Sequence, residues 1–320
     1  MFVGQGSDLS GFCEMKRVLV TGADGFIGRY ILPLLVKAGY EVHALCWLSE
    51  ARGVEGVIWH KVNLMDYPAV DALLHELQVT HLLHLAWYTV HGKFWNAAEN
   101  LHWVGCSLNL LKSFVEHGGK RVLMAGSCAE YDWSKGHCIE QETSCNPATL
   151  YGTGKHALHQ VARSYCVQHQ VSFSWGRIFF LYGPGEVGGR FVPAVINGLL
   201  RQETVPCSDG RQLRDFMYVQ DVASAFAALL ESDLTGAVNI ASGVSCTLRG
   251  IGEEIMQQIE GRGRIEFGAL PNREDDPAVL TADVSRLCDE LNWQPAFSLE
   301  QGLSETIGWW KQNQGDYNAS

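Results

Sequence analysis

From residue 15 onward the chain alternates two kinds of apolar segment. Short runs dense in apolar residues stand at Val18-Leu19-Val20, Glu41 to Cys46, Val57 to Val62, His81 to Ala86, Arg121 to Ala125 and Ser172 to Phe179. Bounded by turn residues, runs of this length predict buried strands. Between them lie longer stretches with helical patterning: Tyr30 to Ala38, Tyr67 to Gln78, roughly Ala97 to His117, and Thr149 to Gln168. Leu73, Leu74 and Leu77 share one face of the second stretch, and Gly118-Gly119 ends the third. Strand and helix in alternation predict an α/β fold with a doubly wound parallel sheet.

Past Tyr182-Gly-Pro-Gly-Glu186 the rhythm changes. Helices are expected at Val192 to Leu200, Val222 to Leu230 and Leu248 to Ile259, with strands at Phe216 to Val219 and Val238 to Ala241. A turn falls at Asp209-Gly210, and two helices flank Asn292-Trp-Gln-Pro295 within Ser285 to Trp310. Fewer parallel-strand signals here predict a smaller C-terminal α/β substrate-binding domain that completes a cleft. The expected division gives 15–180 to the first domain, with returns near 215–242, and 181–320 mainly to the second. Residues 1–14 lack periodicity and read as a mobile leader ahead of Met15.

Composition narrows the class. Apolar residues at 47% allow a sizeable core, and 18% charged residues argue against long disorder. A net charge of −11 disfavours nucleic acid and anionic membrane as partners, so an anionic ligand must be held by a few arginines and backbone N–H groups. The ten cysteines show no C-x-x-C pair and read as reduced thiols of a cytoplasmic protein. No apolar run approaches membrane-spanning length.

The densest chemical signal is Lys16-Arg-Val-Leu-Val-Thr-Gly-Ala-Asp-Gly-Phe-Ile-Gly-Arg29. A strand that turns through Gly22, Gly25 and Gly28 into a helix presents backbone N–H groups and the positive end of a helix dipole, a site for the pyrophosphate of a dinucleotide. Gly22 permits the tight turn, Gly25 close approach of phosphate, and Gly28 packing of helix on strand. The predicted sheet is therefore of the Rossmann type.

Tyr151-Gly-Thr-Gly-Lys155 places a phenol and an ammonium on one helix face. Acid/base work near pH 7 needs the phenol lowered by roughly three units, about 4 kcal/mol, and the Lys155 charge is expected to contribute. Ser127 leaves the C-terminal end of the fifth strand, where ligands of open α/β sheets bind. It is positioned to hydrogen-bond a carbonyl that Tyr151 protonates.

The glycine loop, His84-Leu-Ala86, Gly126-Ser127, Tyr151-x-x-x-Lys155, Arg177 ahead of Tyr182-Gly-Pro-Gly, Arg214-Asp-Phe-Met-Tyr-Val-Gln-Asp221 and Leu291-Asn-Trp-Gln-Pro295 occur in that order. Together they resemble the extended short-chain dehydrogenase/reductases of the NAD-dependent epimerase/dehydratase type, from Met15 to Trp310. The resemblance implies a nucleotide diphosphate sugar as substrate and a homodimer built on the helices at 97–117 and 149–168. It assigns catalysis to Ser127, Tyr151 and Lys155. Cofactor contacts fall on Gly22, Asp24, Gly25, Phe26, Ile27, Gly28, Arg29, Asn63, Leu64, Leu85 and Ala86, with Tyr151 and Lys155. Substrate contacts fall on Trp87, Ser127, Phe180, Arg190, Arg214 and Arg273. An ion pair with Asp215 is the bland alternative for Arg214.

Departures from the family pattern select the reaction. Sugar dehydratases of the family carry Asp-Glu after the catalytic Ser/Thr; here Cys128 and Ala129 stand there, which removes dehydration. Cys128 reads as a structural thiol. Ser127-Cys-Ala-Glu-Tyr131 resembles a run in 4-keto-6-deoxyhexose reductases, the expected activity. The alternatives are a 4-epimerase with tightly held NAD and a non-catalytic NAD(P)-binding regulator. Phe180 replaces a family asparagine and removes a polar sugar contact. The second strand ends in Ala44-Leu-Cys46-Trp47 with no acid before Glu50, while Arg29 and Arg52 stand near; this tilts the cofactor toward NADP over NAD. His156 and His159, like His81 and His84, lack a third ligand, so no metal is expected.

Overall fold

The computed structural model describes residues 15–47, 53–272 and 276–313. The strands are β1 Arg17–Thr21, β2 Glu41–Cys46, β3 Val57–Lys61, β4 His81–His84, β5 Arg121–Ser127, β6 His137–Cys138, β7 Ser172–Ile178, β8 Phe180–Tyr182, β9 Thr204–Cys207, β10 Leu213–Tyr218, β11 Gly236–Ile240, β12 Ser245–Thr247, β13 Arg264–Phe267 and β14 Val279–Ala282. The helices are α1 Gly28–Lys37, α2 Tyr67–Leu77, α3 Glu99–Glu116, α4 Leu150–Gln168, α5 Phe191–Leu200, α6 Val219–Glu231, α7 Leu248–Gln258 and α8 Leu299–Gln312.

Seven strands form one parallel sheet in the order β11-β7-β5-β4-β1-β2-β3. The order reverses between β1 and β4, and the crevice outside their carboxyl ends is where such sheets bind ligands. Alternation along β1 builds two cores. Val18 and Val20 pack with Ile31, Leu32 and Leu35 of α1 and with Phe226 and Leu229 of α6. Leu19 faces the other layer, where Leu74, Leu110, Phe114 and Leu158 of α2, α3 and α4 cover the sheet. The doubly wound expectation is met, with each strand's boundary close to its apolar run.

The second half holds more strand than its pattern suggested. A five-stranded sheet runs β12-β10-β14-β6 with β8 added on β10, and β9 pairs with β13. All these pairs are parallel except β10–β12. Of residues 215–242, α6 packs on α1 and β11 joins the large sheet, while β10 belongs to the smaller one. In place of two helices in 285–310 there is a π-helical turn at Arg286–Glu290 and then α8. Strands of two to four residues are too short to show a period, which is why β6, β8, β9 and β12 escape sequence reading. The leader at 1–14, Glu50, Arg52 and Arg273 lie outside the described residues.

Candidate active site

Two glycines of the β1–α1 turn leave no room for a side chain. Gly22 has φ +66°, and a Cβ there would lie 2.8 Å from Ala86 N at the end of β4. A Cβ on Gly28 would run into Gly22 O and Ala23 O, so the first turn of α1 rests directly on the strand end. Ile27 opens the helix with no side-chain cap. Arg29 N and Tyr30 N donate to Gly25 O and Ile27 O, which leaves the Gly28 amide of the first turn to an anion.

This turn forms one end of a cavity of about 1020 Å³. Gly22, Asp24, Gly25, Phe26, Ile27, Gly28, Asn63, Leu64, Leu85 and Ala86 line it, as do Trp87, Ser127, Tyr151, Lys155, Phe180, Arg190 and Arg214. Seventeen sequence-selected positions are thereby brought to one crevice. Arg29 is not among them: its Nε donates to Gly25 O at 3.2 Å, and its guanidinium lies against Gly185. At the end of β2 the wall is Leu45, Cys46 and Trp47, with no carboxylate on the strand's last residues.

A hydrogen-bond chain that sequence reading missed pins β1 to β4 and α3. Ser107 Oγ donates to Trp103 O (2.7 Å), so it must accept from His84 Nε2 (2.7 Å). His84 Nδ1 then accepts from Thr21 Oγ1 (2.7 Å), which in turn accepts from Ala86 N (3.3 Å). Burial pushes the His84 imidazole down to about 3, which keeps it neutral.

At the other end of β5, a buried carboxylate sets the position of Ser127. Glu130 accepts from Ser127 N (2.8 Å), Trp175 Nε1 (2.8 Å) and Arg177 Nε (3.0 Å), and Ser127 Oγ accepts from Ala129 N (3.2 Å). Neither Glu130 nor Arg177 is more than 3% exposed along its side chain. Arg177 also donates to the hydroxyl of Tyr131 (3.0 Å), which donates to Asn239 (2.8 Å). Thr149 caps α4 by accepting from Gly152 N (3.1 Å), and Gly152 lies against Ala129 O with no space for a Cβ. The helix therefore starts on the turn that holds Ser127, and Tyr151 and Lys155, one turn apart, face the end of β5.

The protonation balance differs from the sequence expectation. Burial pushes the Tyr151 phenol up to about 12, opposed by its hydrogen bond to Ser127. Burial also pushes the Lys155 ammonium down to about 7; its Nζ donates to Ala125 O (2.8 Å) and sits 3.8 Å over the Trp87 ring. Burial thus dominates at Tyr151, because the apolar surroundings that hold both groups penalise charge on either. Cys128 beside them is 7% exposed and pushed up to about 12, so it stays a thiol.

The remaining wall is aromatic. Phe94, Trp95 and Trp87 approach Tyr151 edge-on at centroid distances of 4.9, 5.9 and 6.4 Å, and Trp133 backs Trp95 at 6.0 Å. Phe180 stacks on Phe216 at 5.3 Å beneath the Arg214 guanidinium. Arg214 pairs with Asp276 (2.5 Å), not with Asp215, whose carboxylate accepts from Ser242 N, Ser242 Oγ and Gly243 N. Arg190 lies over Phe94 and 3.9 Å from Glu186, a 4% exposed carboxyl whose Oε2 has no hydrogen-bond partner. Phe94, Trp95 and Trp133 carry no local motif, so nothing in the sequence marked them, and Glu186 read only as the end of Tyr182-Gly-Pro-Gly-Glu186.

One metal-type cluster corrects the expectation that His156 and His159 lack a third group. Donor atoms of Glu130, His156 and His159 lie within 4.8 Å of one another. Glu130 is already committed to Arg177, Trp175 and Ser127. Among the described residues, no helix is long and apolar enough to cross a membrane.

The model of the NAD dependent epimerase/dehydratase family matches residues 18–241. The chain is 27% identical over 316 residues to UDP-glucuronic acid decarboxylase 1 of Xenopus tropicalis, spanning 93% of this chain and 73% of that protein. It is 25% identical over 297 residues to CDP-abequose synthase of Salmonella muenchen, spanning 91% and 97%. The solved structure of UDP-N-acetylglucosamine 4-epimerase from Methanobrevibacter ruminantium M1, in complex with UDP-N-acetylmuramic acid, matches with a TM-score of 0.83 at 26% identity, over 93% of this chain and 99% of that one. With the family match extending from β1 through β11, the chain is an enzyme that belongs to the NAD dependent epimerase/dehydratase family.

Proposed function

We propose that the protein reduces the keto carbon of a nucleotide diphosphate 4-keto-6-deoxyhexose. The observation that carries this reading is the convergence of Ser127, Tyr151 and Lys155 in the cavity that begins at the glycine turn, with Cys128 and Ala129 where a dehydration acid/base pair would stand. The cradle fits a dinucleotide: Gly22 and Gly28 are close-packed, and α1 opens uncapped. NAD(P)H, when bound there, supplies the hydride. Ser127 Oγ orients the substrate carbonyl and Tyr151 gives its phenolic proton to that oxygen, while Lys155 would hold the cofactor ribose. A phenol held near 12 favours the protonated form that reduction consumes. The carboxylate-free end of β2 supports acceptance of NADP(H) beside NAD(H). Exposed Leu101 on α3 and Val161 and Val167 on α4 support a homodimer through those helices.

A 4-epimerase would use the same three residues, and the match to the Methanobrevibacter ruminantium epimerase favours that second reading. Freshly purified protein should release no stoichiometric nucleotide on denaturation and should take up NADPH or NADH from solution. Stoichiometric NAD(H) in the released fraction would instead assign the epimerase.

A further inference from the structure

The rings around Tyr151 offer a ligand mostly carbon, with the Trp95 indole N–H as their one donor not spent within the described residues. Trp87 spends its indole N–H on Asn100 (2.9 Å) and Trp133 on Cys128 O (3.0 Å). Trp95 stands between Phe94, at 4.4 Å, and Trp133, at 6.0 Å, and all three line the cavity. Arg190 and Arg214 are the arginines of this cavity among the described residues. Arg214 is 2% exposed along its side chain and is held by Asp276; Arg190 is held between Glu186 and Phe94.

We propose that Trp95 and Trp133 are specificity-determining residues that read the substituent on the carbon next to the reacting carbonyl, accepting a methyl group and rejecting a carboxylate. This rests on the nucleotide-sugar reading above. A methyl group against these rings buries apolar surface on both sides. A hydroxymethyl group there gives up water for at most the Trp95 indole N–H, a modest penalty, since apolar pockets reject an added hydroxyl by at most about 100-fold. A carboxylate gives up far more, and of the guanidiniums in the cavity Arg214 already faces Asp276, which leaves Arg190 as the one open to it. The site would thus refuse the glucuronic acid that the name of the Xenopus tropicalis relative specifies.

The test is calorimetric titration of the full chain, loaded with NAD+, with UDP-6-deoxyglucose, UDP-glucose and UDP-glucuronic acid, and with the same three sugars on CDP. The titrations use the Tyr151→Phe chain, in which the bound NAD+ does not oxidise the C4 hydroxyl of these sugars, so binding is read apart from hydride transfer. In the series that binds, affinity should fall about tenfold from deoxyglucose to glucose and more than about 100-fold to glucuronic acid. Trp95→Ala and Trp133→Ala should compress the span to a few-fold, and Trp95→Phe, which keeps a ring and the fold, should keep most of it. Saturation-transfer NMR with irradiation of the aromatic protons should light the C6 methyl most strongly. Equal affinities, or glucuronic acid binding best and losing that rank in Arg190→Gln, would overturn the specificity proposal while leaving the reductase reading intact. Binding of none of these sugars on UDP or CDP, nor on GDP or dTDP, would overturn both.

Discussion

The two ends of the cavity are made in different ways. At the cofactor end the wall is main chain: Gly22 and Gly28 bring strand, turn and helix so close that no side chain fits. At the far end it is aromatic side chain, drawn from residues 87, 94, 95, 133, 180 and 216 in several separate segments. A backbone site recognises what all dinucleotides share, since its donors are amides fixed by the fold. A side-chain site can be rebuilt one ring at a time, and that is where a family changes substrates while keeping its cofactor.

The largest expected effect tests the junction between the two ends. Tyr151→Phe removes the proton donor but keeps its ring against Phe94 and Trp95, so turnover should fall about a thousandfold or more with the NADH dissociation constant within twofold. Steady-state rates beside fluorescence titration decide it; near-normal turnover would remove Tyr151 from catalysis. Glu130→Ala should destabilise the whole chain by about 3–5 kcal/mol in urea denaturation, because it strands the buried Arg177 charge. A loss below about 1 kcal/mol would show that Arg177 finds another partner.

Gly28→Ala sharpens the contrast from the cofactor side. Its Cβ meets backbone that cannot step aside, so cofactor affinity should drop at least about tenfold while nucleotide-sugar affinity changes little. A pH-dependent effect belongs to Glu186, whose carboxyl burial pushes up from 4.5 to about 8. Between those values the folded chain binds a proton that the unfolded chain has released, so this group makes stability fall as pH rises, by up to about 1.4 kcal/mol per pH unit. Lys155, pushed down from 10.5 to about 7, acts in the opposite sense from pH 7 to 10.5. Glu186→Gln should therefore flatten the stability profile below pH 8 only; an unchanged slope would show that Glu186 titrates normally.

The same contrast explains what the sequence made legible. The glycine turn and the Tyr151–Lys155 pair are local, spelled within seven and five residues and framed by strong strand and helix periods. The charge state of that pair was not legible, because it depends on burial by residues far along the chain. The support of Ser127 joins Glu130 to Arg177, 47 positions on, and no local pattern links them. Phe94 and Trp95 sit in an aperiodic stretch, so their convergence on Tyr151 waits for the fold. Phe180 read as a lost polar contact; in place it is one member of a stack with Phe216 beneath Arg214.

The chain of hydrogen bonds through His84 has one further consequence. Each of its members spends its single proton in the same direction, from the amide of Ala86 to the carbonyl of Trp103. The indole of Trp103 leans on Trp87 at 6.2 Å, and Trp87 lies beneath the Lys155 ammonium. A strut thus runs from the glycine turn to Lys155 at the proposed proton-transfer site, crossing the crevice where the sheet reverses. Because its polarity is fixed, it has one register, and the spacing between the two ends of the cavity is gauged by a neutral imidazole.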